Sequence, residues 1–413
     1  MKVYRLDPVG KLDDLKLFDE DTPRPGPREI VIRIRAASLN YRDLKVATGA
    51  YSPSEIKPRL IPLSDGAGEV IETGPGVTRV KAGDRVTPIF GQRWLAGKIN
   101  PANSSHSLGG QVDGVLAECI VLSEEGVVPI PAHLSFEEAA TLPCAAMTAW
   151  HALFAHGQLT AGETVLTLGT GGVSLFAAQF ARMAGARVII TSGSEEKIAR
   201  LKAMGFTDIV NYRTHPDWER EVKKLTDGQG VDHVVELGGP GTFAKSLLSL
   251  RMGGGLYLIG NLAAEAQVNP RLILAKRAHV HGIQVGSREM FEAMNRAVTQ
   301  AKLTPIIDKQ FKFGEARAAY DYLAARKHFA GRIAETQYEI GSDRHRAARA
   351  AHDEATHEQN KPENKEADSD LAGGDDEDLD ITGEDEEPSP DDEVDLGGDD
   401  DLGVETSSEE DEH

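Results

Sequence analysis

TVLTLGTGGVS, residues 164–174, is an apolar run that breaks into glycines and then resumes as Val173 to Met183 at helical spacing. A short apolar run of this kind reads as a strand buried on both faces, and the glycines read as the turn that feeds it into a helix. Strand, glycine turn and helix in that order are the context a dinucleotide-binding fingerprint requires. Glycines let the backbone turn tightly and approach a pyrophosphate, whose charge then rests on the helix N-terminus. The candidate phosphate-binding residues are Gly169, Thr170, Gly171, Gly172 and Val173. The third glycine of the G-x-G-x-x-G pattern is Ser174 here, a residue small enough for close packing of helix on strand. Alone, such a turn reads equally well as a tight strand–helix connection, so its neighbours decide.

Downstream, RVIITS (187–192), DIVNY (208–212), VDHVVEL (231–237), GGLYLIG (254–260) and HVHGIQV (279–285) are further apolar strands. Helical segments separate them, among them SEEKIARLKAMG (194–205), WEREVKKL (218–225) and GTFAKSLLSL (241–250). Six strands alternating with helices make a doubly wound parallel sheet, because each parallel strand needs a crossover. The second strand ends at the residues expected to meet the adenosine ribose. An NAD-binding chain offers Asp or Glu there for the 2′-hydroxyl. This chain offers Thr191-Ser192-Gly193-Ser194, followed by Lys197, and Tyr212 ends the next strand. Small hydroxyls, a cation and a ring suit a 2′-phosphate, hence NADP(H). Glu195 and Glu196 fall in the first turn of a helix, where its dipole favours acids.

Upstream, residues 1–125 are β-rich and irregular. Ile30 to Arg35, Ala67 to Glu72 and Gly83 to Ile89 alternate, and Pro23, Pro25, Pro27, Gly66, Gly68, Gly74 and Gly76 interrupt. That pattern predicts a small antiparallel barrel. Ser135 and Glu138 form a capping box that opens a mostly buried helix, AATLPCAAMTAWHALF (139–154). Residues 287–340 predict a helix, the strand KQFKFG (309–314), another helix and the strand RIAETQYEI (332–340). The expected divisions are a barrel domain at 1–130, completed by about 300–340, a nucleotide-binding domain at 131–299, and a tail at 341–413.

The formal charge of −21 is unevenly placed. From Glu339 to His413 lie 30 of the 66 Asp/Glu but 5 of the 45 Lys/Arg, a net of −25; the preceding 338 residues keep 36 acids against 40 bases. Blocks such as DEEPSPDDEVD hold too few large apolar side chains to offset their ordering entropy, so the tail is expected to be disordered, with a basic partner as its natural complement. Neither part has the clustered Lys/Arg of a nucleic-acid binder. No run is long and apolar enough for a membrane span, the N-terminus MKVYRLDPVG lacks a signal-peptide core, and two cysteines, Cys119 and Cys144, fit a reducing compartment. The sequence thus predicts a cytoplasmic protein.

AASLNYRDLKVATGAY (36–51), PLSDGAGEVIETGPGVTRVKAGDRV (62–86), LPCAAMTAW (142–150), TVLTLGTGGVS (164–174) and HGIQVGSR (281–288) resemble the medium-chain dehydrogenase/reductase superfamily. They resemble especially its zinc-independent quinone oxidoreductase-like branch, which includes alcohol dehydrogenase-like proteins and enoyl reductases. The resemblance covers residues 1 to 338. It implies a GroES-like catalytic domain, an inserted Rossmann domain, a cleft between them and a homodimer. It implies that Lys197 and Tyr212 hold the 2′-phosphate, that Thr148 contacts the nicotinamide ring, and that Val285 and Gly286 meet the carboxamide through the backbone.

In the zinc branch a Cys, a His and a second Cys hold the catalytic metal. At these positions the resemblance places Asn40, Ser64 and Cys144, and one thiol cannot hold Zn²⁺, which wants three protein ligands. Residues 87–111 carry no cysteine for a structural zinc lobe; His106 there reads as a loop residue. Cys144 reads as a small buried hydrophobe. Without a metal, hydrogen-bond donors must meet the charge that builds on the substrate oxygen. By resemblance Asn40 and Tyr51 line that pocket; an amide and a phenol can both donate. Asp43 is expected to bond Arg42 or the backbone, and Trp94 is an aromatic candidate for the pocket rim. A small-molecule substrate follows, with quinone, enone and simple carbonyl or alcohol left open. Two other classes remain open: a zinc-type alcohol dehydrogenase relative, and a nucleotide-binding scaffold working through its acidic tail.

Overall fold

The computed structural model describes residues 1–51, 56–260, 268–325, 329 and 333–336. β1 (Lys2–Leu6) pairs antiparallel with β2 (Leu15–Asp19). Then β3 (Glu29–Ser38), β4 (Asp65–Thr73), β5 (Arg85–Pro88), β6 (Cys119–Ser123) and β7 (Val127–Pro129) build an antiparallel sheet. β3 is its hub because its ten residues give room for two partners along one edge. Glu29 to Arg33 pair with β6, and Ala36 to Ser38 pair with Ala334 to Thr336, while β4 takes the other edge. α1 (Tyr41–Ala47) leaves directly from the end of β3. The chain thus returns to this sheet near its described end, as the sequence predicts.

Between the two sheets runs the helical segment opened by Ser135. Its capping box is present: Ser135 Oγ accepts from Glu138 N at 3.2 Å and Glu138 Oε2 accepts from Ser135 N at 2.7 Å. The single helix expected from the sequence is instead α2 (Phe136–Ala140), a wide π-type turn at Leu142–Ala146, α3 (Met147–Trp150) and a second such turn at His151–His156. Pro143 explains the first departure, since it has no amide hydrogen to close a tight turn and its ring crowds the preceding one.

The parallel sheet follows with β8 (Thr164–Leu168), α4 (Gly172–Met183), β9 (Arg187–Ser192), α5 (Glu195–Ala203), β10 (Asp208–Asn211), α6 (Trp218–Leu225), β11 (Val231–Glu236), α7 (Pro240–Ser249), β12 (Leu250–Leu258), α8 (Arg271–Lys276) and β13 (His279–Gly282). Its strand order is β10-β9-β8-β11-β12-β13, all parallel. The direction of winding reverses between β8 and β11, and such sheets open a crevice at the carboxyl ends of the strands at that point. α9 (Arg288–Ala301), β14 (Lys309–Lys312), α10 (Ala316–Ala324) and β15 (Ile333–Thr336) return the chain to the antiparallel sheet, where β15 pairs with β3.

α4 packs on the bent helical segment through aromatic rings. Trp150 stacks on Phe154 at 4.1 Å and meets Phe180 edge-on at 5.7 Å, and Phe180 is fully buried. Burying a phenylalanine of this kind is worth about 1.5–3 kcal/mol, so this contact fixes the bent segment against the parallel sheet. Both sheets belong to one compact unit. The tail expectation, residues 341–413, lies outside the described residues. Among the described residues no helix is long and apolar enough to cross a membrane.

Candidate active site

The glycine turn forms the floor of the crevice. Gly169 takes φ +75°, a conformation that side chains disfavour, and its N–H donates to the Thr191 carbonyl at 3.0 Å. This bond ties the end of β8 to the end of β9. A Cβ added at Gly169 or Gly171 would meet no atom within 4 Å, so the space in front of both is open. Gly171 is the N-cap of α4, Gly172 and Val173 begin that helix, and the Thr170 side chain is buried. Ser174 is buried as well, and its hydroxyl donates to the Leu168 carbonyl at 2.6 Å. The third position of the fingerprint therefore closes helix onto strand by a hydrogen bond, where a glycine would do so by contact alone.

At the ends of β9 and β10 the adenosine-side candidates come together. Ser192 is buried, and its carbonyl accepts from Tyr212 N at 3.1 Å. The Tyr212 ring lies over Gly193: a Cβ there would sit 2.4 Å from ring Cζ, so a side chain at 193 would push the ring aside. The ring remains 43% exposed, presenting its other side to solvent. Ser194 caps α5, accepting from Lys197 N at 3.4 Å. Lys197 is half-buried, and that burial pushes its ammonium below the usual lysine range, opposed by Asp308 and Glu196. Glu195 and Glu196 occupy the first turn of α5, as read from the sequence.

A second wall forms where the bent helical segment meets the residues after β13. Val285 is buried and takes φ +35°, which a β-branched residue rarely adopts. Its carbonyl accepts from His151 Nδ1 at 2.7 Å. A Cβ added to Gly286 would lie 2.8 Å from Met147 Cε, so any larger residue there would have to displace the end of the buried Met147 side chain. Thr148, between Met147 and His151, is buried, and its hydroxyl donates to the Cys144 carbonyl at 2.6 Å. Val285 and Gly286 also line a hollow, open to solvent, together with Phe90, Trp94 and Gln284. Trp94 thus stands at this rim, its indole N–H donating to the Gly97 carbonyl at 2.9 Å.

The antiparallel side supplies the third group. Asn40 is the N-cap of α1 and is buried; its N–H donates to Asp43 Oδ2 at 2.7 Å. Asp43 also lies 3.8 Å from the Arg42 guanidinium, so both expectations for it hold. The Asn40 amide nitrogen, Nδ2, is buried with no hydrogen-bond partner among the described residues. Arg42 donates to the carbonyls of Leu108 (3.0 Å) and Gly109 (3.2 Å) and to Ser107 Oγ (3.1 Å). Its guanidinium lies 4.7 Å over Phe90 and 5.4 Å over Tyr51, which is half-buried. Arg42 thus faces Tyr51 on one side and Asp43, the partner of Asn40 N, on the other. Ser64 is buried and donates to Asp65 Oδ1 at 2.7 Å, while Asp65 Oδ2 accepts from Cys144 N at 2.9 Å. Cys144 is half-buried, and His106 is a half-buried loop residue bonded to Ser105 Oγ at 3.0 Å. Asp65 and His151 were not singled out by sequence. Asp65 had one signal, its place beside Ser64; His151 had none, because only the fold brings it to Val285.

Residues 26–132 match the alcohol dehydrogenase GroES-like domain family, and residues 172–300 the zinc-binding dehydrogenase family. A zinc-type alcohol dehydrogenase-like protein of Schizosaccharomyces pombe is 39% identical over 331 residues, 78% of this chain and 95% of that one. A quinone oxidoreductase of Pseudomonas aeruginosa strain PAO1 is 30% identical over 77% of this chain and 94% of its own. The solved structure of an NAD-dependent alcohol dehydrogenase is 32% identical, covering 82% of this chain and 100% of that one, with a TM-score of 0.75. With a GroES-like domain, a parallel Rossmann sheet and these relatives, the chain belongs to the medium-chain dehydrogenase/reductase superfamily and is an oxidoreductase.

Proposed function

We propose that this oxidoreductase is zinc-independent and uses NADP(H) to transfer hydride to a quinone, an enone or a related carbonyl. The observation that carries this reading is the buried Nδ2 of Asn40, which has no hydrogen-bond partner among the described residues, a neutral donor at the position where the zinc branch has a metal ligand. The neighbouring groups support it. Ser64 donates to Asp65, Asp65 holds the Cys144 amide, and a lone thiol beside an amide and a committed hydroxyl does not fit Zn²⁺. The open space in front of Gly169 and Gly171 fits a pyrophosphate at the α4 N-terminus, with Thr170, Gly172 and Val173 around it. Ser192, Lys197 and Tyr212 would hold a 2′-phosphate, and Thr148, Val285 and Gly286 the nicotinamide end.

A bound reduced nicotinamide supplies the hydride. As negative charge then grows on the substrate oxygen, the Asn40 amide donates to it without first breaking another bond. The Tyr51 hydroxyl is the second donor of the same segment, able to deliver the proton that completes reduction. Phe90, Trp94 and the Arg42-braced loop at 107–109 border the substrate space. A homodimer follows from the family resemblance, a basic partner from the composition of the tail, and a cytoplasmic setting from a content of two cysteines. The test is a purified preparation assayed for metal and for NADPH oxidation with a panel of quinones, enones and aldehydes. Far less than one zinc per chain and chelator-resistant NADPH turnover are expected. Stoichiometric zinc lost together with activity would sink the reading, as would a wild type that prefers NADH.

A further inference from the structure

The backbone at Val285 is held in an unfavourable conformation, and the structure shows what holds it. Val285 is a β-branched residue at φ +35°, with no glycine to relieve it. Its carbonyl is met by His151 Nδ1 at 2.7 Å. A carbonyl oxygen only accepts, so Nδ1 carries the imidazole proton. His151 is itself clamped. Trp94 meets it edge-on at 5.6 Å, and His156 stacks on it at 4.9 Å. Next along the chain, Gly286 passes against the Met147 side chain, which a Cβ there would displace. One helical segment therefore grips the 285–286 peptide at two points, by a hydrogen bond and by contact, and the same two residues line the hollow together with Trp94.

We propose that His151 is a positioning residue for the nicotinamide end of the cofactor, fixing the Val285–Gly286 backbone against which the carboxamide rests. The proposal rests on the cofactor reading above and adds a residue that touches no part of the ligand. The bond asks for a donor at one place and nothing more, which gives a direct test. His151→Phe keeps an aromatic ring between Trp94 and His156 but has no N–H. His151→Asn places an amide N–H near the position of Nδ1. Binding of two probes is measured by titration calorimetry: NADPH, and 2′-phospho-ADP-ribose, which lacks the nicotinamide. His151→Phe is expected to weaken NADPH about tenfold and the truncated probe less than twofold, and His151→Asn to recover most of the loss.

Equal losses for both probes, no loss for either, or no recovery with Asn would overturn the positioning role. If wild type bound neither probe, the cofactor reading itself would fall, and this proposal with it. Should His151→Phe not fold, Gly286→Ala disturbs the same peptide from the Met147 side, and it must show the same selective loss of NADPH.

Discussion

The two sides of the crevice are built differently. On the parallel-sheet side the candidate ligand-binding groups are mostly backbone: the turn at Gly169 and Gly171, and the first turn of α4. On the antiparallel side they are side chains tied to other side chains, Ser64 to Asp65, Arg42 to the loop at 107–109 and over Phe90 and Tyr51. A backbone site needs a local conformation, so a few consecutive residues specify it. A side-chain site needs partners from distant segments, so each member depends on several others. The first should tolerate substitution around it and fail mainly in affinity; the second should fail in rate or in folding.

The sharpest break in that comparison should come from Asn40→Ala. Turnover is expected to fall on the order of 10²–10³-fold, the cost of removing one donor to a developing oxyanion, with NADPH affinity within twofold. The backbone N–H of residue 40 still reaches Asp43, so α1 keeps that bond and a stopped-flow measurement reads chemistry rather than unfolding. Tyr51→Phe is the companion: a loss near 10²-fold would make the phenol a proton donor, and a change of a few-fold would leave Asn40 as the donor that matters.

Asp65→Ala should act on folding. It strips the acceptor from the Ser64 hydroxyl and from the Cys144 amide, and stranding buried donors of a charged acceptor costs about 3 kcal/mol. A urea midpoint shifted by that amount at constant slope is the expected result, and an unshifted midpoint would show that the network is not holding Pro143 and Cys144 in place. Lys197→Ala should act on affinity alone. A charge-assisted contact to phosphate is worth about 1.5–3 kcal/mol, so NADPH should weaken tenfold or more while NADH is unchanged. Equal losses would remove Lys197 from the site.

The smallest effect concerns acid. Burial, partly offset by the bond to Val285, lowers the pKa of His151, and burial with His156 and His279 lowers that of His281. Each folded-state value lies below the unfolded imidazole value near 6.5, so the unfolded chain binds the proton first. Their contribution is intact above about pH 6.5 and is lost as pH falls from there toward the folded values. Melting temperature should therefore drop between pH 6.5 and 5, before the carboxylates titrate. His151→Asn should flatten that drop; an identical slope in the variant would exclude His151 as a source.

What was legible in the sequence follows the same division. The six parallel strands, the glycine turn, Ser135 as a cap and the return of the chain to the antiparallel sheet could all be read, because period, glycine placement and capping are local signals. Asn40, Ser64 and Cys144 were proposed by resemblance, but their state was not legible: that Ser64 is bound to Asp65, or that Asn40 Nδ2 is buried with no hydrogen-bond partner among the described residues, depends on a packing that no window of residues encodes. The π-type turns at Leu142–Ala146 and His151–His156 escaped for a related reason. An apolar run with good caps reads as one helix; Pro143 interrupts it locally, and the Asp65 carboxylate that accepts the amide of residue 144 comes from a distant segment.

The ring of Tyr212 over Gly193 also constrains how this pocket can evolve. Dinucleotide folds shift toward NAD by placing an acid at the end of the second strand. At position 193 any side chain, an acid included, would meet the far end of the tyrosine, a ring that is 43% exposed and can turn aside, so the two positions are coupled rather than mutually exclusive. A library that varies 193 and 212 together should therefore yield more functional variants than one that varies 193 alone.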